Sequence, residues 1–93
     1  MSTTKEALRN LILGNFATPR EADAFVRLIP DWGQKMANHT PVLRFVTRRL
    51  PGGITAHEAD GLAAIGDYAA DLADRVERWG YANQFAGLLA ARS

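Results

Sequence analysis

The stretch Thr55-Ala56-His57-Glu58-Ala59-Asp60-Gly61-Leu62-Ala63-Ala64-Ile65-Gly66-Asp67-Tyr68-Ala69-Ala70-Asp71-Leu72-Ala73-Asp74-Arg75-Val76-Glu77-Arg78-Trp79 decides the fold. Within it Leu62, Ile65, Ala69, Leu72, Val76 and Trp79 follow one another at intervals of 3, 4, 3, 4 and 3. That rhythm predicts a single helix over 55–79 with one apolar stripe. Thr55 and Glu58 read as a capping box at its start, and Gly80 as its stop. Gly66 marks a point where the helix can bend, since interior glycine costs about 1 kcal/mol relative to alanine. Asp60, Asp67, Asp71, Asp74 and Glu77 occupy the polar side, with Arg75 and Arg78 four residues after two of the aspartates. A helix with so wide an apolar stripe is stable only when other segments cover it.

Those segments are supplied on both sides. Thr3 and Glu6 form a capping box ahead of Leu8, Leu11 and Ile12, and Gly14-Asn15 reads as the end of that first helix, with Phe16 folding back. Thr18-Pro19-Arg20-Glu21 combines an N-cap, a proline at the first helical position and an acid at the third. The helix it opens places Ala22, Phe25, Val26 and Ile29 on one face, and Pro30 closes it. Asp31 and Gln34 are expected to cap a third helix that turns Trp32 and Met36 inward. After an Asn38-His39 turn, Thr40-Pro41 opens a fourth helix whose buried side is Val42, Leu43, Val46 and Leu50, with Phe45 at the edge. Pro51-Gly52-Gly53 breaks the chain before the long fifth helix. A sixth begins near Gly80 or Tyr81 and carries Tyr81, Phe85, Leu88 and Leu89. No segment alternates long enough for a strand. The fold class predicted is all-α: a compact six-helix antiparallel bundle in a single domain, 1–93, each helix packing on its neighbours in sequence.

Composition narrows the function. Ninety-three residues with 47% hydrophobic and 23% charged side chains suit one modest globular core. The absence of cysteine removes disulfides, thiol nucleophiles and thiolate metal sites, and the only serines are Ser2 and Ser93. The opening Met-Ser-Thr-Thr-Lys-Glu lacks a leader's apolar core, and no run reaches transmembrane length, so a soluble cytoplasmic protein is expected. His57 has only Asp60 at a helical ligand spacing and His39 has none, too little for a metal site. Gly52-Gly53 lacks the Lys-Ser/Thr of a phosphate loop. No cofactor, metal or catalytic residue is therefore predicted, and the chain reads as a non-enzyme.

The charge is uneven. Residues 1–50 carry eight Lys or Arg against four acids, whereas 51–93 carry three Arg against six acids. Ordinary solvated helix faces explain such a split, and so does a module in which a basic face of one copy meets an acidic face of the next. Arg44 and Arg48, four apart, line one side of the fourth helix, and Arg49 extends the patch. An exposed polar face, a nucleic-acid contact and a protein-binding patch are the three readings of it. The modest net charge of +1 argues against nucleic acid.

Two stretches resemble a known family. Leu72-Ala73-Asp74-Arg75-Val76-Glu77-Arg78-Trp79, leading through Gly80-Tyr81-Ala82-Asn83-Gln84-Phe85 to Leu88-Leu89-Ala90-Ala91-Arg92, resembles the close of bacterial effector-associated domains. These are small death-like helical adaptors, some similar to caspase recruitment domains (CARD). Ala7-Leu8-Arg9-Asn10-Leu11-Ile12 followed by Phe16 resembles their first helix. The stretch from Pro30 to Gly61 is longer than in the short form of the family, and the sequence ends before the Asn-Pro segment that such domains often show after the final helix. The resemblance implies a death-fold adaptor in bacterial antiphage defence or programmed cell death. Such an adaptor associates homotypically and recruits an effector such as a protease, including one that activates a gasdermin. It also implies that Arg44, Arg48 and Arg49 form the basic side of the contact and Glu21, Asp23 and Asp31 the acidic side. A small helical nucleic-acid binder or phage-encoded inhibitor is the alternative.

Overall fold

Helix boundaries follow from local chemistry. The computed structural model describes residues 4–39, 58–61 and 65–92. Their regular structure is α1 (Lys5–Asn15), α2 (Pro19–Val26), α3 (Trp32–His39), a 310 turn (Glu58–Asp60), α4 (Ile65–Arg78) and α5 (Ala82–Arg92). No strand occurs among the described residues. The expected fourth helix over 41–50, the Pro51-Gly52-Gly53 break, the Thr55 cap and Leu62 lie outside them. The chain is thus an all-helical globule, and its radius of gyration of 12.5 Å is near the roughly 12 Å expected for this length.

At α1 the capping residue is Thr4, one position later than expected: its hydroxyl accepts the Ala7 amide at 3.1 Å. Either adjacent threonine has the chemistry to cap, and this choice places Leu8 and Ile12 fully inside. Asn15 ends the helix by donating its side-chain amide to the Leu11 carbonyl at 2.7 Å. At α2 the expected signals work together. The Thr18 hydroxyl accepts the Glu21 amide at 3.3 Å, Pro19 begins the helix, and Glu21 Oε2 accepts the Ala17 amide at 3.1 Å.

Helix α2 stops at Val26 rather than at Pro30. The Leu28 and Ile29 amides bond the Phe25 and Val26 carbonyls at 3.0 and 3.1 Å, tightening the chain into a turn. Ile29 nevertheless remains buried, as the spacing required. Asp31 does not adopt the extended backbone of an N-cap residue. Its φ is +72°, and its carbonyl accepts the Lys35 amide at 3.0 Å. Aspartate tolerates this left-handed conformation better than most residues.

The central rod is shorter than its sequence pattern suggested. Glu58–Asp60 is a 310 turn and Gly61 is not helical, so the rod is interrupted there, while Gly66 lies inside α4. At the other end Gly80 acts as expected, with φ +84°. The Tyr81 amide bonds the Val76 carbonyl at 2.8 Å and the Gly80 amide bonds the Glu77 carbonyl at 3.1 Å. This is a Schellman arrangement, which satisfies carbonyls otherwise left open at the helix end.

Tyr68, Ala69, Leu72, Ala73 and Val76 make α4 the centre of the core. Among the described elements the most extensive packing is between α1 and α4, segments far apart in sequence, so for these helices the expectation that neighbours pack chiefly on neighbours is corrected. Local cues cannot specify that pairing. It follows from each helix burying its apolar stripe, at about 1.5–3 kcal/mol for each large side chain removed from water. Helix α2 covers α4 and the 310 turn, where Ala59 is fully buried.

Two aromatic groups close the remaining sides. Phe25 lies 5.3 Å from Phe16 and 5.7 Å from Phe85, and the Arg92 guanidinium stands 4.8 Å above the Phe16 ring. Trp32 lies 4.8 Å from Trp79 and 5.9 Å from Tyr81. Trp32 is fully buried, yet its indole N–H has no hydrogen-bond acceptor among the described residues. An unmet donor of this kind costs about 1–3 kcal/mol.

Candidate interaction surface

The three acids expected on one docking face separate into two groups. Glu21 is exposed in the first turn of α2, where one carboxylate oxygen caps the Ala17 amide. Asp31 is exposed on the turn before α3. Asp23 is instead directed inward, with only 7% of its surface open. It accepts the Tyr68 hydroxyl at 3.2 Å and the Arg27 Nε–H at 2.9 Å. The reason is helical phase: Pro19, Asp23 and Val26 stand at intervals of 4 and 3, and all three are buried. Arg44, Arg48 and Arg49, the expected basic side, lie outside the described residues.

Tyr68 is buried although the stripe read from the sequence, which runs from Leu62 to Trp79, does not include it. It stands three residues after Ile65 and four before Leu72, on the same stripe, so the signal was present. Burial pushes its phenol above the usual tyrosine range, and the Asp23 charge and hydrogen bond act in the same direction. Arg27 and Arg75 oppose that shift.

Several of the remaining described charges are paired within the chain. Arg20 Nε lies 2.6 Å from Asp60 Oδ1, tying α2 to the 310 turn. The hydrogen bond to Asp60, and then the charge of Asp60, hold this guanidinium above its ordinary value. On α4 the i,i+4 pairs read from the sequence form: Arg75 Nε is 3.0 Å from Asp71 Oδ2, and Arg78 pairs with Asp74. The Asp71–Arg75 contact is an ion pair without an aligned hydrogen bond, because Asp71 Oδ2 and Arg75 Nη1 are buried with no hydrogen-bond partner. Lys5 reaches across from α1 to Asp74 at 3.7 Å. Each exposed pair is worth only about 0–1 kcal/mol, so these contacts chiefly set where charge is left over.

Two other features adjoin this surface. Leu28, on the α2–α3 turn, is 62% exposed, whereas Leu11 and Leu13 are 36% and 37% exposed. An open cleft of about 360 Å³ is lined by Asp31, Gln34, Lys35, Asn38 and Tyr81. Among the described residues, no group of three or more His, Asp or Glu is placed to hold a metal ion. No helix among them is long and apolar enough to cross a membrane. His39 is the last residue of α3, and His57 lies outside the described residues. No protein-family model, curated protein or solved structure matches the chain.

Proposed function

We propose that this chain is a non-enzymatic protein–protein interaction module. It acts as a death-like, CARD-type adaptor in bacterial antiphage defence or programmed cell death, and it recruits or oligomerises an effector such as a protease. The observation that carries the reading is the distribution of charge. Aspartates of the same chain hold Lys5, Arg20, Arg27, Arg75 and Arg78. Glu21 and Asp31 stand exposed where α2 and α3 begin, as Glu6, Asp67 and Glu77 do on α1 and α4. The sequence supplies their complement in Arg44, Arg48 and Arg49. Complementary patches steer association and fix its register, and many weak contacts add up when several copies assemble. Asp23 takes no part in this surface.

The test is light scattering and sedimentation of the chain across a salt series. Association is expected at low salt and declines as salt screens the pairs. The double substitution Arg44→Glu with Arg48→Glu should abolish it while leaving helicity and melting temperature unchanged. Undiminished association in that variant overturns the reading. Steeply salt-dependent binding to random duplex DNA, with no self-association, favours a nucleic-acid binder instead.

A further inference from the structure

Asp60-Gly61 is the only place in the chain where an aspartate or asparagine precedes glycine. That order has a chemical consequence. The backbone nitrogen of the second residue can close a ring on the side-chain carboxyl carbon of the first. Glycine, without a Cβ, crowds that approach least and leaves the backbone the widest choice of angles. Asp23, Asp31, Asp67, Asp71 and Asp74 are followed by Ala, Trp, Tyr, Leu and Arg, whose side chains hinder the same closure.

Two restraints act on the pair in the folded chain. Asp60 is the last residue of the 310 turn, and helical backbone angles hold the next amide away from the side-chain carbon. This restraint is weak, because the turn is three residues long, Gly61 already lies beyond it, and helix ends fray. Both residues are exposed, so water reaches them. The second restraint comes from α2. The Arg20 Nε–H donates to Asp60 Oδ1 at 2.6 Å and holds the carboxylate toward that helix.

We infer that Asp60 is a site of spontaneous isomerisation to isoaspartate, and that Arg20 is the latch that slows it. The site is independent of the adaptor reading above. In the step, the Gly61 nitrogen bonds Cγ of Asp60 in its acid form. The amide proton and the carboxyl hydroxyl leave together as one water, giving a succinimide. Water then opens the ring at either carbonyl, restoring aspartate or routing the main chain through the β-carbon. The water released at closure is returned at opening, and no redox change occurs. The isoaspartyl product lengthens the main chain by one carbon beside Ala59, which is fully buried in the turn that α2 covers. Modification therefore loosens the attachment of the 310 turn to α2.

The experiment ages the full chain, Arg20→Ala and Gly61→Ala in heavy-oxygen water near neutral pH, then digests each with trypsin. Electron-transfer fragmentation of the peptide spanning 50–75 distinguishes the two linkages, with Asp67, Asp71 and Asp74 as internal controls. Isoaspartate carrying a heavy oxygen is expected at Asp60 and not at the controls. Arg20 and Asp60 are both exposed, so their pairing is modest, and Arg20→Ala should speed the reaction about two- to fivefold. Gly61→Ala should nearly stop it. Circular dichroism reports whether each variant keeps the fold. In urea the parent and Arg20→Ala should react at one rate, since unfolding removes the pair from both. An unmodified Asp60 in both folded chains overturns the site. Equal rates in the folded parent and Arg20→Ala, or a difference that persists in urea, overturns the latch.

Discussion

The Tyr68 hydroxyl, on the central helix, donates to Asp23 Oδ1 at 3.2 Å across 45 residues of chain. The Arg27 Nε–H meets the other carboxylate oxygen at 2.9 Å. Both Tyr68 and Asp23 lie inside the fold, so neither group has ready recourse to water. Replacing Asp23 by Ala leaves a buried phenol without its acceptor. The expected loss is about 1–3 kcal/mol in urea unfolding, with no change in any association that survives the lost stability. Tyr68→Phe should cost less, because Arg27 still satisfies the carboxylate.

The same pair makes stability depend on alkaline pH. The folded phenol keeps its proton above the usual range, whereas in the unfolded chain it ionises near 10. Its contribution is thus complete below about pH 10 and declines as pH rises beyond, where the unfolded state binds fewer protons. The slope approaches about 1.4 kcal/mol per pH unit for this one group. Unfolding free energies measured on both sides of pH 10 should show the decline, and the Tyr68→Phe series should lack that part of it.

Two glycines should respond with opposite signs to alanine. Gly80 holds φ at +84°, so Gly80→Ala forces a side chain into the left-handed region and should cost about 1–2 kcal/mol. Gly87 is exposed in the interior of α5, and an added methyl group meets nothing within 4 Å. Gly87→Ala should therefore stabilise by about 0.5–1 kcal/mol. Thermal melts of the two variants give the comparison directly.

Asp31 separates backbone strain from charge. With φ at +72°, Asp31→Gly should keep or raise the melting temperature, whereas Asp31→Val should lower stability by about 1–3 kcal/mol. Because both variants remove the carboxylate, both should weaken self-association. A glycine variant more stable than its parent yet less associated would mark Asp31 as a residue kept for contact.

The parts legible in the sequence were those governed by near neighbours. Thr18-Pro19-Arg20-Glu21 opened a helix, Gly80 closed one, and the aspartate–arginine pairs of α4 formed at i,i+4. The interruption at Gly61 was not legible from the stripe, because the 3-and-4 rhythm begins only at Leu62, while the Thr55–Glu58 capping signal places the helix start six residues before Gly61. The inward turn of Asp23 was partly legible: its spacing from Pro19 and Val26 puts it on the buried face. What makes a carboxylate acceptable there is a phenol from α4, which no window along α2 contains. Pairing of α1 with α4 was hidden for the same reason. Of the candidate surface, the charges of Glu21 and Asp31 could be read. The outward face of Leu28 was legible too, since it stands four residues after the exposed Ala24 and the same phase buries Ile29.

The contact between Trp32 and Trp79 governs how unfolding can be watched. These are both of the chain's tryptophans, and their ring centroids are 4.8 Å apart. Intrinsic fluorescence therefore reports a single event, the parting of α3 from the end of α4. A variant that frees α1 alone would leave emission unchanged while amide exchange along residues 5–15 accelerates. Agreement between the two probes would mean that the helices come apart together.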